Sequence, residues 1–481
     1  MPYLPIAPQS DDRRNKQGTT PIALTNALVR QTPSDSARAR RSPYFIGPTP
    51  GRVLRATMTD NIRGLFAEEG CRNGNLFAPN GSFLAEISSS YSATNVGSIG
   101  GGDVVTMRAD RSDLAVRAYG ELYRWNGTAF TNVSDVDAPL FAETLAVVAR
   151  RWVAAFEDND AFGWSVAGDF SDWPANNQAQ DQDMPDPIVG QEEIGGDLWS
   201  FGSKSTQIWQ PTGGAEEVAF SPVTGANIPI GMAAREAFAK TAGGGMLLGH
   251  TRVVYGTQGY DLVPVANLSL ESALKALTVA EMADCVACSY RDGSKEFWGL
   301  NAGLENGSWF DLSTGLWHDR SKYGADEYDI DFAASAFGKV FVASRSSPKI
   351  WSLEDDVYID GYDADGETIP IVRDLTVHIP SQGDVPVDRL VFDMVVRAVP
   401  LTGQGSSPKM MVRYSNDNGE TWDTWRDLDL PTPSNAFRVQ DWGLPMASAE
   451  NGLLVHIRIT DPVGWAFSGA WVNPSEEEMN G

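Results

Sequence analysis

Cysteine and histidine are scarce in this chain of 481 residues. Three cysteines (Cys71, Cys285, Cys288) cannot staple a protein of this size, and they point to synthesis in a reducing compartment. Cys285-Val286-Ala287-Cys288 spells CxxC, but there is no second such pair. The four histidines (His250, His318, His378, His456) are scattered, so buried thiols are expected there and no metal or cofactor. Long apolar runs are missing too: none approaches the roughly 18–20 residues of a bilayer-spanning helix. Met1-Pro2-Tyr3-Leu4-Pro5 is followed by no basic-then-apolar signal segment, which predicts a soluble chain not secreted by that route. Basic residues are few beside acidic ones, 37 against 63, for a net charge of −26. That balance argues against a general nucleic-acid binder, whose affinity is built from Lys and Arg.

Catalytic signatures are also lacking. There is no GxxxxGK[ST], no HExxH and no G-x-S-x-G in a strand-to-helix setting. A glycosidase needs only two carboxylates about 5–10 Å apart, which 63 acidic residues neither support nor exclude. The expectation is a protein without enzymatic activity.

What the chain does have is aromatic residues, 15 Trp, 13 Tyr and 20 Phe, in short segments parted by turn dipeptides. Such residues fit the half-buried surface of a strand, so the class is mainly β. Asn73-Gly74, Asn80-Gly81, Asn126-Gly127, Asp292-Gly293 and Asn306-Gly307 read as tight hairpin turns. A strand-turn-strand theme recurs around them, with 46 residues from Asn80 to Asn126 and 46 more to Asp172. A period of about 40–50 residues with four short strands per unit is that of a β-propeller blade. Residues 56–355 have room for about six.

One helix interrupts the pattern at 269–277, with Ser269 as its cap and Leu270, Ala273, Leu274 and Leu277 on one face. Beyond residue 355 the alternation becomes cleaner: Leu390, Phe392, Met394 and Val396 share a face, as do Leu453, Val455, Ile457 and Ile459. This predicts a β-sandwich over 356–481. The boundary is expected in the acidic stretch 355–365, whose Asp360, Asp363 and Asp365 lack calcium-loop spacing and read as a solvated turn.

Residues 1–55 differ from the rest: they carry a net charge of +6, leaving −32 on the other 426 residues. They read as an extended basic arm. Arg13, Arg14, Lys16, Arg38, Arg40 and Arg41 are its candidate residues for docking on an acidic neighbouring subunit, the alternative being a solvated tail. One further motif is well specified. Ser415-Asn416-Asp417-Asn418-Gly419-Glu420-Thr421-Trp422 matches the S-x-D-x-G-x-T-W Asp box, with Ser415, Asp417, Gly419 and Trp422 as its signature residues. Its role is structural: the carboxylate ties down a turn and the Trp packs beneath.

Several phrases together resemble the packaged-DNA-stabilisation or tail-hub (nozzle) β-propeller proteins of short-tailed bacteriophages. They run in order: Asn61-Ile62-Arg63-Gly64-Leu65-Phe66, Gly74-Asn75-Leu76-Phe77-Ala78, Gly120-Glu121-Leu122-Tyr123-Arg124-Trp125-Asn126-Gly127-Thr128, and Asp197-Leu198-Trp199-Ser200-Phe201-Gly202 leading to Ile208-Trp209. The helix, Phe310-Asp311-Leu312-Ser313-Thr314-Gly315-Leu316-Trp317 and Val455-His456-Ile457-Arg458-Ile459-Thr460-Asp461-Pro462 complete the series, over about 55–475. The resemblance implies a structural virion protein of the tail, assembled in the host bacterial cytoplasm. It implies a homo-hexameric ring below the portal and adaptor, extending the DNA channel, helping to retain and eject the genome, and presenting a tail needle, spike or fibre. The alternative is a glycan-binding or sialidase-like propeller for host recognition, which would show an open pocket of clustered Arg and carboxylates on one propeller face.

Overall fold

The computed structural model describes residues 3–6, 20–32, 42–111, 113–139, 141–181, 184–265, 267–362, 367–380, 386–432, 439–447 and 452–475. The chain divides into two compact units. One takes residues 54–307 and 329–352, the other residues 1–53, 308–328 and 353–481.

The first unit is a β-propeller, built from short antiparallel sheets. Four are regular four-stranded meanders, starting at Thr106–Asp110, Ala146–Val148, Ile188–Ile194 and Phe238–Thr241. Before them stand Leu76–Asn80, Phe83–Ile87 and Ala93–Ser98, with Ile62 and Phe66 bridged antiparallel to Asn80 and Phe77 as an inner segment. After them come the hairpin of Val286–Asp292 and Lys295–Asn301, then the sheet of Phe332–Ala336, Lys339–Ala343 and Lys349–Glu354.

The fourth strand of that last sheet is Gly51–Thr57, from before the first sheet, so hydrogen bonds tie the two ends of the propeller together. The Met58 N–H donates to the Pro348 carbonyl at 2.8 Å, and Arg55 Nε donates to Ser352 Oγ at 2.7 Å. Seven sheets result where the length had given about six. Inner strands from Thr106 onward begin 40 to 50 residues apart. The 46-residue spacing from Asn80 to Asn126 links unlike turns, because Asn80 ends the strand after the inner segment and Asn126 follows the third strand of its sheet.

The turn dipeptides act through positive φ where a two-residue reversal requires it, as at Gly81 (φ +49) between Leu76–Asn80 and Phe83–Ile87. Asn306-Gly307 does not follow this rule. It opens the strand Asn306–Asp311, and the reversal comes earlier, at Gly303 (φ +67), whose N–H donates to Asn301 Oδ1 at 3.1 Å.

The aromatic surplus fills the spaces between neighbouring sheets. Phe162 meets Trp209 edge-on at 5.2 Å, Trp164 meets Phe220 edge-on at 5.3 Å, and Trp152 stacks on Phe170 at 4.7 Å. The helix spans Leu268–Ala276, and its cap is Asn267 and not Ser269: the Asn267 side chain accepts the Leu270 N–H at 3.1 Å. A second helix, Val279–Ala283, follows with a Thr278/Glu281 capping box. Arg252 donates to the Leu277 carbonyl at 2.7 Å, answering one of the acceptors that helix ends leave open.

The second unit is a β-sandwich. One sheet runs Ala27–Gln31, Tyr44–Pro48, Gly464–Val472, Arg389–Arg397, Val439–Trp442, with Tyr3–Pro5 also on Gly464–Val472. The other includes Thr20–Thr25, Arg373–Ile379, Leu453–Ile459, Lys409–Ser415 and Arg426–Asp429, in that order. The alternating faces seen in the sequence meet between them: Leu390, Phe392 and Met394 pack in one core with Leu453, Val455, Ile457 and Ile459.

The described part of residues 1–55 is extended and laid on this sandwich, and it supplies strands to both sheets. Leu24, Ala27, Val29 and Ile46 are core residues, so these strands belong to the fold. The stretch 355–365 is likewise more than a solvated turn. Asp360 is buried, with its carboxylate 2.7 Å from the equally buried Arg52 guanidinium, and Asp355 lies 2.7 Å from Arg30. Asp363 and Asp365 lie outside the described residues.

Phe162 is fully buried among Trp164, Trp209 and Phe220. Phe162→Ala is expected to lower the stability of the propeller by about 3–5 kcal/mol through the cavity it leaves. Leu401, 98% exposed, should tolerate Ala within about 0.5 kcal/mol. Chemical denaturation of the two variants checks the difference.

Candidate functional site

The inner strands of a propeller converge on its axis, and a cavity of about 910 Å³ opens there. It is lined by Asp60, Arg63, Asp103, Glu143, Asp158, Arg235, Glu236, Asp284 and Arg345, with Gly101 and Gly102 allowing the chain to pass close by. The free space then narrows along the inner strands, through about 160 Å³ to about 20 Å³ where Arg108, Glu192, Met232 and Phe238 meet. Arg108 Nε donates to Glu192 Oε2 at 3.2 Å, and Thr106 Oγ1 donates to Glu236 Oε1 at 2.9 Å. The axis is filled with side chains, so a nucleic-acid duplex cannot thread it.

Asp103 is the centre of the cavity's polar network. Its Oδ1 accepts from Arg63 Nη2 at 2.9 Å and from the Tyr119 N–H at 3.1 Å; its Oδ2 accepts from Arg117 Nη1 at 2.9 Å and faces Arg235 Nη1 at 3.7 Å. The arginines are tied at their other donors as well. Arg63, 6% exposed, donates to the carbonyls of Asp103 (2.6 Å), Gly81 (2.6 Å) and Gly100 (2.9 Å). Arg117, 4% exposed, donates to the Ala142 carbonyl at 2.7 Å, and Arg235 pairs with Glu143. Burial, then the nearby Arg235 charge, pushes the Arg117 guanidinium below its ordinary pKa. Segments of four sheets are thus pinned through one carboxylate.

Two features of this network bear on chemistry. Arg63, Arg235 and Arg345 are each paired with a carboxylate, and Arg63 also has its other donors engaged by backbone carbonyls, which leaves no free fork for a substrate carboxylate. By contrast, Asp60, Asp158, Glu236 and Asp284 have no ion-pair partner among the described residues, so the cavity has surplus negative charge.

The Asp box lies in the sandwich unit. Ser415 Oγ donates to Asp417 Oδ1 at 2.7 Å and accepts the Gly419 N–H at 2.9 Å, while the Thr421 N–H donates to Asp417 at 2.9 Å. Trp422 lies under Gly419 and, with Trp425, flanks Arg413, whose guanidinium is 4.8 and 4.6 Å from the two rings. His456 meets both indoles edge-on. The Thr421 hydroxyl, then its N–H, holds the Asp417 carboxyl down at about 2.

Cys285 and Cys288 are buried, and desolvation pushes the Cys285 thiol up to about 11. Among the described residues no group of three or more His, Cys, Asp or Glu is placed to hold a metal ion. Arg13, Arg14, Lys16, Arg38, Arg40 and Arg41 lie outside the described residues.

Arg63, Asp103, Arg117 and Arg235 were not singled out as a site by the sequence, since each stands alone in it. The nearest signals are Gly100-Gly101-Gly102, where the chain must pass close, and the phrase around Arg63.

A family model described as Bacteriophage P22 Gp10, beta-propeller, matches residues 46–314. No curated protein matches the chain. Similar solved structures include the computationally designed Ika8 protein (9% identity, covering 63% of this chain and 100% of that one, TM-score 0.40). U3-55K is another (8% identity, 63% and 99%, TM-score 0.41).

Asp103→Ala leaves three arginines without their common acceptor and should cost about 3 kcal/mol, the lower end for breaking a buried pair because the carboxylate is about a quarter exposed. Glu157→Ala, at an exposed position, should stay within about 0.5 kcal/mol. Thermal and denaturant melts check this. For the Asp box, the depressed carboxyl means its contribution to folding is complete above the ordinary carboxylate value of about 3.9 and is lost as pH falls through about 2. NMR titration of the Asp417 carboxyl should show that low midpoint, and Asp417→Asn should abolish the extra acid resistance of the 415–422 turn.

Proposed function

The chain belongs to the family of bacteriophage β-propeller proteins described by P22 Gp10, a virion component, and we propose that within the virion it is a nozzle or hub protein of the tail. In this reading six copies form a ring below the portal and adaptor proteins, extend the DNA channel, help to retain the packaged genome until ejection, and present the site for a needle, spike or fibre. The observation that carries the reading is the family match over 46–314, which covers most of the propeller.

Physical features agree with it. The propeller axis is closed by Arg108, Glu192, Met232 and Phe238, so DNA would run past subunits and not through one. The −32 carried by residues 56–481 would make an acidic wall that repels phosphate and lets DNA slide. The protein in this reading is not an enzyme.

One observation favours a second reading, a glycan-binding or sialidase-like propeller: the open cavity does hold arginines and carboxylates together. It is the weaker reading, because Arg63 and Arg117 already donate to Asp103 and to backbone carbonyls.

Particles assembled without this protein should fill with DNA and then lose it, while the protein alone should give a hexameric mass. Retention of DNA by particles lacking it would refute the tail role. Hydrolysis of a sialoside by the purified monomer would favour the second reading.

A further inference from the structure

The cavity mouth has a charge surplus and an aromatic rim that the ion network does not use. Asp60, Asp158 and Asp284 are exposed carboxylates lining it without an ion-pair partner among the described residues. Beside it stand Tyr119 and Phe141, 62% and 61% exposed. Tyr119 is fixed there by its N–H to Asp103 and by its ring lying against Gly101, and the Phe141 backbone packs against Gly120. Carboxylates with exposed aromatic faces make a receptor for guanidinium groups, which pair with the former and stack on the latter.

The same chain carries a group of that chemistry. Strands Ala27–Gln31 and Tyr44–Pro48 form a hairpin whose open end is held by the Thr32 N–H donating to the Pro43 carbonyl at 2.8 Å. Their connection, residues 33–41, holds Arg38, Arg40 and Arg41 against a single Asp35. Nine residues going out and back reach roughly 15 Å from such a base.

We propose that the cavity mouth of one copy receives the arginine-bearing end of this hairpin from a second copy. The inference rests on the ring reading above and names the contact between its members. The two surfaces differ, so the contact is head-to-tail, the kind that closes into a ring when the rotation fits. The arginines would neutralise the cavity's surplus charge, which also predicts assembly that weakens with salt.

The experiment uses the full chain and reads its assembled mass. Arg38→Glu, Arg40→Glu and Arg41→Glu together, or Asp158→Arg with Asp284→Arg, should each weaken association at least tenfold. All five in one chain should restore it. As an independent readout, Ala39→Cys on one tagged copy and Asp284→Cys on another should form a disulfide between chains under oxidation. If either charge-reversed set assembles like the parent, if the five-fold variant stays dispersed, or if no interchain disulfide forms, the docking is overturned and the ring stands without it. A parent chain that is itself monomeric would overturn the ring reading, and this contact with it.

Discussion

One carboxylate holds the centre of the propeller. Asp103 accepts from Arg63 and Arg117 and faces Arg235, and those arginines in turn bond to carbonyls and a carboxylate on other blades. A propeller needs such a device because each sheet packs only on its neighbours, while the inner strands bring polar backbone ends to the axis. Left unpaired there, those groups would each cost roughly 1–3 kcal/mol. Satisfying them with three guanidinium groups around one anion closes the axis and leaves it rigid. It also explains why an arginine-rich cavity has so little left for a substrate carboxylate.

The second constraint is closure. Gly51–Thr57 completes the last sheet, so the chain must pass the start of the propeller before it can finish it. This non-local pairing sets where the unit begins, at residue 54, and it is why a count of repeats from residue 56 came out one short. In the other unit a similar debt runs the opposite way. Strands from residues 3–48 lie in both sheets of a sandwich otherwise built mostly from beyond residue 353.

Much of the fold was legible. Period-2 alternation placed Leu390, Phe392, Leu453, Val455 and Ile457 on inner faces, because a strand with one buried side leaves that pattern. Hairpin glycines marked most turns, since positive φ leaves few alternatives to Gly. Asn306-Gly307 failed as a marker because the same dipeptide is tolerated inside a strand when Gly303 has already reversed the chain. The Asp box was readable residue by residue, its bonds all lying within seven positions. The cavity was not: Arg63, Asp103, Arg117, Glu143 and Arg235 stand far apart in sequence and carry no local pattern.

The sequence by itself determined the mainly β class, the repeat length, the alternating sandwich faces, the Asp-box turn and the split between a basic start and an acidic remainder. Each of these follows from interactions between residues close in the chain or from composition. Tertiary structure alone decided the seventh sheet, the incorporation of the first 53 residues into the sandwich, the burial of Asp360 against Arg52, and the gathering of three arginines on Asp103. Those depend on which distant strands pair, and pairing across tens to hundreds of residues leaves no periodic trace in the chain.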